Sequence, residues 1–208
     1  LEVGVGLGAD HSQFAINGAE CHGIDLTERA IKHTGKRLDK KRLKSELKVG
    51  DAEQLPYGDM EFDIVYSWGV IHHSPNTPKA VEEVFRVLKP GGEARIMIYH
   101  KYSFVGYMLW FRYSLLKFRS CTLDEIYSEY LESPGTKAYS ANSARELFSS
   151  FSEVEIKTVL THGDLLNSKA GQRHEGLLLD IARMIWPRWL IKRFFHNHGL
   201  FMLITAKK

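Results

Sequence analysis

The chain is expected to adopt an α/β fold: a mostly parallel sheet with helices on both faces, in one domain that carries a helical, aromatic insertion. Three observations predict it. Over about the first hundred residues, short apolar runs alternate with stretches of helical periodicity, the pattern of βαβ units. A glycine loop, Gly4, Gly6 and Gly8, stands where the first apolar run hands over to the first helical stretch. With 208 residues, the chain is long enough to bury a substantial core without metal or disulfide staples.

Each element follows from its residues. Residues 1–5 make a strand that enters the glycine loop, and a helix follows over about 10–17. Residues 21–26 form the second strand, with Thr27 as N-cap and Glu28 in the first turn of the next helix. Glu46–Val49 is a short third strand, and 62–67 a fourth, nearly all apolar as burial on both faces requires. Ala80, Val81, Val84, Phe85 and Leu88 then recur at helical spacing behind an N-cap at Asn76 or Thr77. Pro90-Gly91-Gly92 turns the chain into a fifth strand at 94–99.

After His100 the rhythm changes. Residues 101–119 are aromatic-rich and helical, and a polar stretch surrounds Ser133-Pro134-Gly135. A helix at 142–151 and a strand at 154–160 restore the α/β pattern. A helical, apolar and basic region at 176–196 is interrupted by Pro187, and 201–206 is the last strand. No internal repeat or low-complexity linker divides the chain.

Composition narrows the class. The hydrophobic share of 44% and charged share of 25% are those of a soluble globular protein. A formal net charge of +3 is too small to imply a polyanionic partner. Cys21 and Cys121 show no metal-ligand or redox spacing, so no metal is expected and a reduced, cytoplasmic setting is. No signal peptide is visible. The chain opens at Leu1-Glu2-Val3-Gly4 without an initiator methionine, already inside a strand-to-loop junction, and reads as N-terminally incomplete.

Glycines between a strand and a helix let backbone approach a ligand closely. Gly4, Gly6 and Ala9 satisfy the pattern G-x-G-x-x-G/A, and Asp25 lies near the distance at which a carboxylate meets a ribose. The loop therefore points to a nucleoside-type cofactor on a Rossmann-like sheet and leaves NAD(P) and S-adenosylmethionine both open.

Downstream segments separate the two. Gly50-Asp51-Ala52-Glu53-Gln54-Leu55-Pro56, Phe62-Asp63-Ile64-Val65 with Gly69, and Arg86-Val87-Leu88-Lys89-Pro90-Gly91-Gly92 resemble class I S-adenosylmethionine-dependent methyltransferases in order, spacing and residue type. More narrowly, the chain looks like the small-molecule group that includes the ubiquinone and menaquinone C-methyltransferases. The resemblance runs from residue 1 to about 99 and is architectural beyond.

The resemblance implies a methyltransferase domain over 1–208 and assigns roles to residues. Asp25 would accept hydrogen bonds from the ribose hydroxyls, and a helix N-terminal charge beside Thr27 is the plainer alternative. Asp51 would hold the adenine amino group with Ala52 offering backbone contacts, and Leu26 would pack on the adenine face. Glu2 would help organise the loop of Gly4, Gly6 and Gly8 and the methionine amino group. Ser67, Trp68 and Gly69 would end the fourth strand beside the methyl group, with Trp68 as a wall or as plain packing.

Methyl transfer asks mainly for alignment in a water-poor pocket, and for a general base only when the acceptor must lose a proton. His72 and His73 are the best-placed catalytic candidates, with His100 and His162 behind them.

For the acceptor, Ser67-Trp68-Gly69-Val70 stands where nucleic-acid amino-methyltransferases carry an Asn/Asp-Pro-Pro-aromatic tetrad, and the basic run 36–44 is diluted by Asp39. No nucleic-acid partner is expected. Insertions at 101–140 and 161–199 are expected on the acceptor side, where their apolar, aromatic, basic-flanked character suits a small apolar or aromatic acceptor or peripheral contact with a membrane. Packing on each other is the alternative. An NAD(P)-dependent oxidoreductase and a non-catalytic cofactor-binding domain are the competing functions.

Overall fold

A computed structural model of the protein describes residues 1–167 and 176–208; residues 168–175, part of the second expected insertion, lie outside the described residues. The chain begins β1 (Glu2–Val3), α1 (Ala9–Ile16), β2 (His22–Asp25), α2 (Glu28–Lys41), β3 (Glu46–Val49) and β4 (Phe62–Trp68). It continues α3 (Thr77–Val87), β5 (Leu88–Tyr99), α4 (Phe104–Tyr113), α5 (Leu123–Ile126) and α6 (Ala141–Leu147). β6 (Glu153–Val159), α7 (Leu177–Ile185), α8 (Arg188–Phe194) and β7 (Phe201–Lys207) complete it.

The sheet runs β3-β2-β1-β4-β5-β7-β6. From β1 the chain winds outward through β2 to β3, then returns to lay β4 against the other side of β1, all in parallel register. The carboxyl ends of β1 and β4 therefore form a topological switch point, where open α/β sheets bind ligands. β7 runs antiparallel to β5: Gly91 and Gly92 exchange hydrogen bonds with Lys208, while His100 N–H donates to Leu200 at the other end.

The chain folds into two compact units. The first comprises Leu1–Met97, Arg145–Glu155 and Ile204–Lys208. Its core is aliphatic, with Val3, Ile24, Val65, Ala80, Val84, Ile96 and Ile204 all buried. The expected caps form here. Thr27 Oγ1 accepts the Ala30 N–H at 3.2 Å, and Asn76, of the two candidates, accepts the Lys79 N–H at 3.2 Å.

Two details in this unit differ from expectation. β4 is not buried on both faces, since Asp63 and Ile64 are exposed. β5 starts at Leu88, six residues before the expected strand, because the Pro90-Gly91-Gly92 turn is itself paired with Lys208, and its register against β4 slips between Phe62 and Ile64.

The second unit comprises Ile98–Ala144 and Ile156–Leu203. Two buried polar hubs hold it. Asp164 accepts Leu200 N–H, Thr161 N–H and Thr161 Oγ1–H through Oδ2, at 2.9, 2.8 and 2.7 Å, and Val105 N–H through Oδ1 at 3.2 Å. The Tyr127 hydroxyl lies 2.7 Å from Ser103 Oγ and 3.0 Å from His100 O, and Gly106 is obligatory beside it, because a Cβ there would come within 2.3 Å of that oxygen. The aromatic run at 101–119 is helical over α4, with Ser103 as its cap, and over a 3-10 turn at Leu115–Lys117; an unexpected α5 follows, opened by a Thr122–Glu125 capping box and continued as a π-helical turn over Tyr127–Leu131.

Candidate active site

The predicted cofactor residues gather at the switch point of the first unit. Gly4 and Val5 both donate N–H groups to Ile24 O, at 2.8 and 3.0 Å, which pins the start of the loop to β2. Gly4 takes φ +87°, and a Cβ built there would sit 2.2 Å from Val70 Cγ2. Gly6, at φ +52°, is different: a Cβ there meets nothing within 4 Å. The backbone at Gly6 thus borders open space at the end of β1. Gly8 is the N-cap of α1 and donates to Val5 O at 2.7 Å.

Asp25 closes β2 and is already engaged. Its Oδ2 accepts the Gly6 N–H at 3.0 Å, and its Oδ1 accepts both the N–H and the hydroxyl of Thr27, each at 3.0 Å. The plainer reading of this carboxylate, a helix N-terminal brace, is therefore realised, and it shapes the glycine loop as well. Three of about four lone-pair sites are filled, so ribose hydroxyls would meet one vacant site or displace the Thr27 hydroxyl.

Leu7, Leu26 and Trp68 stand 66%, 72% and 42% exposed at the carboxyl ends of β1, β2 and β4. An open loop face, a fixed carboxylate and apolar side chains at neighbouring strand ends fit a nucleoside with a flat base.

Asp51 follows β3 and accepts the Glu53 N–H at 2.9 Å in a tight turn, with Ala52 half-buried beside it. Ser67 is fully buried and its hydroxyl donates to Val3 O at 3.0 Å, which ties β4 to β1. Trp68 stacks on Tyr66 with centroids 6.3 Å apart, and Tyr66 Oη donates to Asp10 Oδ2 at 2.9 Å. The Tyr66 hydroxyl is held well above its usual titration range by burial and by that carboxylate.

Glu2 is buried beneath the loop. Its Oε2 lies 2.8 Å from His11 Nδ1 on α1, and His11 Nε2 lies 2.8 Å from Ser45 Oγ, which donates to Cys21 O at 2.7 Å. Burial pushes the Glu2 carboxyl above its ordinary range, and the His11 hydrogen bond draws it back. Through this chain Glu2 anchors α1 to the strand ends.

His72 and His73 sit in a single 3-10 turn, Ile71–His73, just past β4 and Gly69, with ring centroids 4.2 Å apart. His72 is completely buried and His73 half-buried, so only His73 presents surface to a ligand. His100 and His162 belong to the second unit.

Three contributors were not anticipated from sequence. His11 gives no signal beyond being a histidine nine residues after Glu2. Glu53 Oε1 accepts the Ser74 hydroxyl at 2.9 Å and the Asn76 N–H at 2.6 Å, joining the Asp51 turn to the segment after His73. Arg86, already part of a motif, donates to Leu55 O, Tyr57 O and Asp59 and makes a two-pronged contact with Glu83, so it clamps the segment 55–59. An arginine one residue from the end of an amphipathic helix was the available hint.

Residues 1–96 match the family model described as "Methyltransferase domain". These residues belong to the methyltransferase domain family. The methyltransferase domain is 35% identical over 103 residues to phosphoethanolamine N-methyltransferase 2 of Caenorhabditis elegans, covering 49% of this chain and 24% of that protein. It is 35% identical over 77 residues to demethylmenaquinone methyltransferase of Lactobacillus johnsonii, covering 36% of this chain and 32% of that protein. The chain thus spans about a quarter to a third of the curated relatives it matches.

Its fold matches a solved structure of the Haemonchus contortus phosphoethanolamine N-methyltransferase 2 with S-adenosylhomocysteine and phosphomonomethylethanolamine. The TM-score is 0.68 at 21% identity, over 100% of this chain and 48% of that one. A second solved structure of that Haemonchus contortus enzyme, 20% identical to this chain with a TM-score of 0.68, holds S-adenosyl-L-methionine, and the oxidoreductase alternative finds no support in these likenesses.

Proposed function

We infer that the chain transfers the S-methyl group of S-adenosylmethionine to a small apolar or aromatic acceptor. The observation that carries this is the glycine loop locked to Asp25 through the Gly6 N–H, with open space over Gly6, inside a segment of methyltransferase family. The bound sulfonium supplies an activated methyl group. The protein's part is to bind and align. Asp25 offers a carboxylate edge to ribose hydroxyls, Leu26 an apolar face to adenine, and the Asp51-Ala52 turn polar groups to the base edge. Trp68 excludes water from the end of β4. When the acceptor carries a proton that must leave, the half-buried imidazole of His73 receives it, while buried His72 supports the turn that holds His73.

Among the described residues no helix is long and apolar enough to cross a membrane. A cytoplasmic setting and the placing of 101–140 and 161–199 on the acceptor side belong to this proposal.

Calorimetric titration of the chain with S-adenosylhomocysteine, NAD and NADP tests the cofactor assignment. Binding of S-adenosylhomocysteine alone is expected, and binding of NAD alone would sink it. Turnover with a panel of phenolic, quinol and amine acceptors then separates an enzyme from a binding module.

A further inference from the structure

We propose that α7 and α8 dock this protein onto an anionic lipid bilayer surface. Each of the two helices turns several large apolar side chains to water. On α7, Ile181, Met184 and Ile185 share one face at i, i+3 and i+4, and all three are exposed, Met184 to 85%. On α8, Ile191 is buried while Trp189, Leu190 and Phe194 are exposed, Trp189 to 73%. A helix that packs on its own domain does the reverse.

These side chains stand on a fixed platform. At the joint between the helices, Trp186 Nε1 donates to Asp164 O at 2.9 Å, the buried hub of the second unit. Arg188 donates to Leu165 O at 3.0 Å, Asn167 Oδ1 at 2.9 Å and Arg183 O at 2.8 Å. The joint thus ties both helices to the folded unit while their apolar faces stay outside.

The charge around the face selects the occupant. Residues 176–198 hold four Arg/Lys against one acidic residue, Asp180, which Arg183 neutralises at 3.1 Å. Lys192 and Arg193 are exposed beside Trp189 and Phe194, with the Arg193 guanidinium 5.4 Å from the Phe194 ring centre. Exposed aromatics flanked by cations suit the headgroup boundary of an anionic bilayer, where rings enter the interface and cations meet phosphates. A second copy of the chain on this face would bring like charges together across a two-fold contact. The inference is independent of the methyl-transfer reading.

The test is co-sedimentation of the chain with vesicles of phosphatidylcholine alone and of phosphatidylcholine with phosphatidylglycerol, at low and high salt. Binding to the phosphatidylglycerol vesicles, weakened by salt, with a blue shift of tryptophan emission, is expected. Lys192→Glu with Arg193→Glu should lower the partition coefficient by about fivefold or more for each cation lost. Met184→Ser with Trp189→Ser and Phe194→Ser should abolish binding while leaving the melting temperature and circular dichroism unchanged, because those side chains are exposed. Lys36→Glu with Lys40→Glu on α2 makes the same net charge change elsewhere and should leave binding intact. Equal binding to both vesicle types, no binding to either, or loss of binding in the α2 variant would overturn the proposal. So would a dimer in light scattering that the Met184, Trp189 and Phe194 changes convert to monomer.

Discussion

Alanine at Gly4 and alanine at Gly6 are the same chemical change two residues apart, yet they should fail in different assays. At Gly4 the positive φ costs about 1–2 kcal/mol for any residue with a Cβ. The new carbon would also lie 2.2 Å from Val70 Cγ2, where two carbons rest at roughly 3.5–4.0 Å, so Val70 must retreat by more than an ångström. Overpacking of that kind adds about 1–3 kcal/mol. The sum, about 2–5 kcal/mol, is a large fraction of the 5–15 kcal/mol that typically holds a domain together, and corresponds to roughly 4–20 °C in melting temperature. At Gly6 only the φ penalty applies, because a Cβ there meets nothing within 4 Å. The methyl would instead fill the open face of the loop, so S-adenosylhomocysteine affinity should fall about tenfold or more, while the midpoint falls only by the backbone cost of about 1–2 kcal/mol. Urea denaturation and calorimetry on both variants decide the matter. Val70→Ala should restore part of the Gly4→Ala loss, the overlap but not the backbone strain. A Gly6→Ala variant that binds S-adenosylhomocysteine like the parent would refute the assignment of the loop face, and an unchanged Gly4→Ala midpoint would refute the steric reasoning.

Asp25→Ala should weaken S-adenosylhomocysteine binding by about 2–4 kcal/mol in calorimetry, while Asp25→Asn, which keeps one carbonyl acceptor, should retain more of it. Tyr57→Phe should stabilise the fold by about 1 kcal/mol, since the buried Tyr57 hydroxyl has no hydrogen-bond partner among the described residues. Burial pushes that phenol up to about 12, so above its ordinary value of 10 the unfolded chain releases a proton that the folded chain retains. Stability should therefore fall as pH rises between those values, by up to about 1.4 kcal/mol per unit, and urea midpoints at alkaline pH should show a shallower fall in Tyr57→Phe. Glu53→Ala should speed hydrogen exchange at the Asn76 amide by about tenfold, and Glu53→Gln, still an acceptor, by less; equal protection in all three proteins would contradict the brace.

The order of strands and helices could be read from periodicity because apolar spacing is a local property, and every expected strand is present. The π-helical turn after α5 was not readable. Its position follows from Tyr127, whose hydroxyl reaches backbone carbonyls more than twenty residues earlier. β5 begins early for a similar reason: Pro90-Gly91-Gly92 reads as a turn, and only Lys208, far along the chain, makes it part of the sheet.

In the site, the position of Asp25 at the end of β2 could be inferred, but not its three protein donors. Two of those lie next to it in sequence at Thr27, and the third, Gly6, depends on how β1 and β2 align. Ser67 shows the limit from the other side. As a polar residue at a strand end it looked available to a ligand, and pairing to β1 gives its hydroxyl to Val3.

The chain of contacts under the glycine loop has a consequence for charge. Ser45 has one hydroxyl hydrogen and two close partners, Cys21 O at 2.7 Å and His11 Nε2 at 2.8 Å. The carbonyl can only accept, so both contacts are hydrogen bonds only if that hydrogen goes to Cys21 and His11 Nε2 carries a hydrogen of its own. One further proton then lies between His11 Nδ1 and Glu2 Oε2, 2.8 Å apart. Whichever atom holds it, an imidazolium facing a carboxylate or an imidazole facing a carboxylic acid, the pair sums to zero charge. The floor of the loop thus carries no net charge, and a cation arriving above it would meet the Asp25 carboxylate, the loop's own amides and the dipole of this pair rather than the full charge of a buried glutamate.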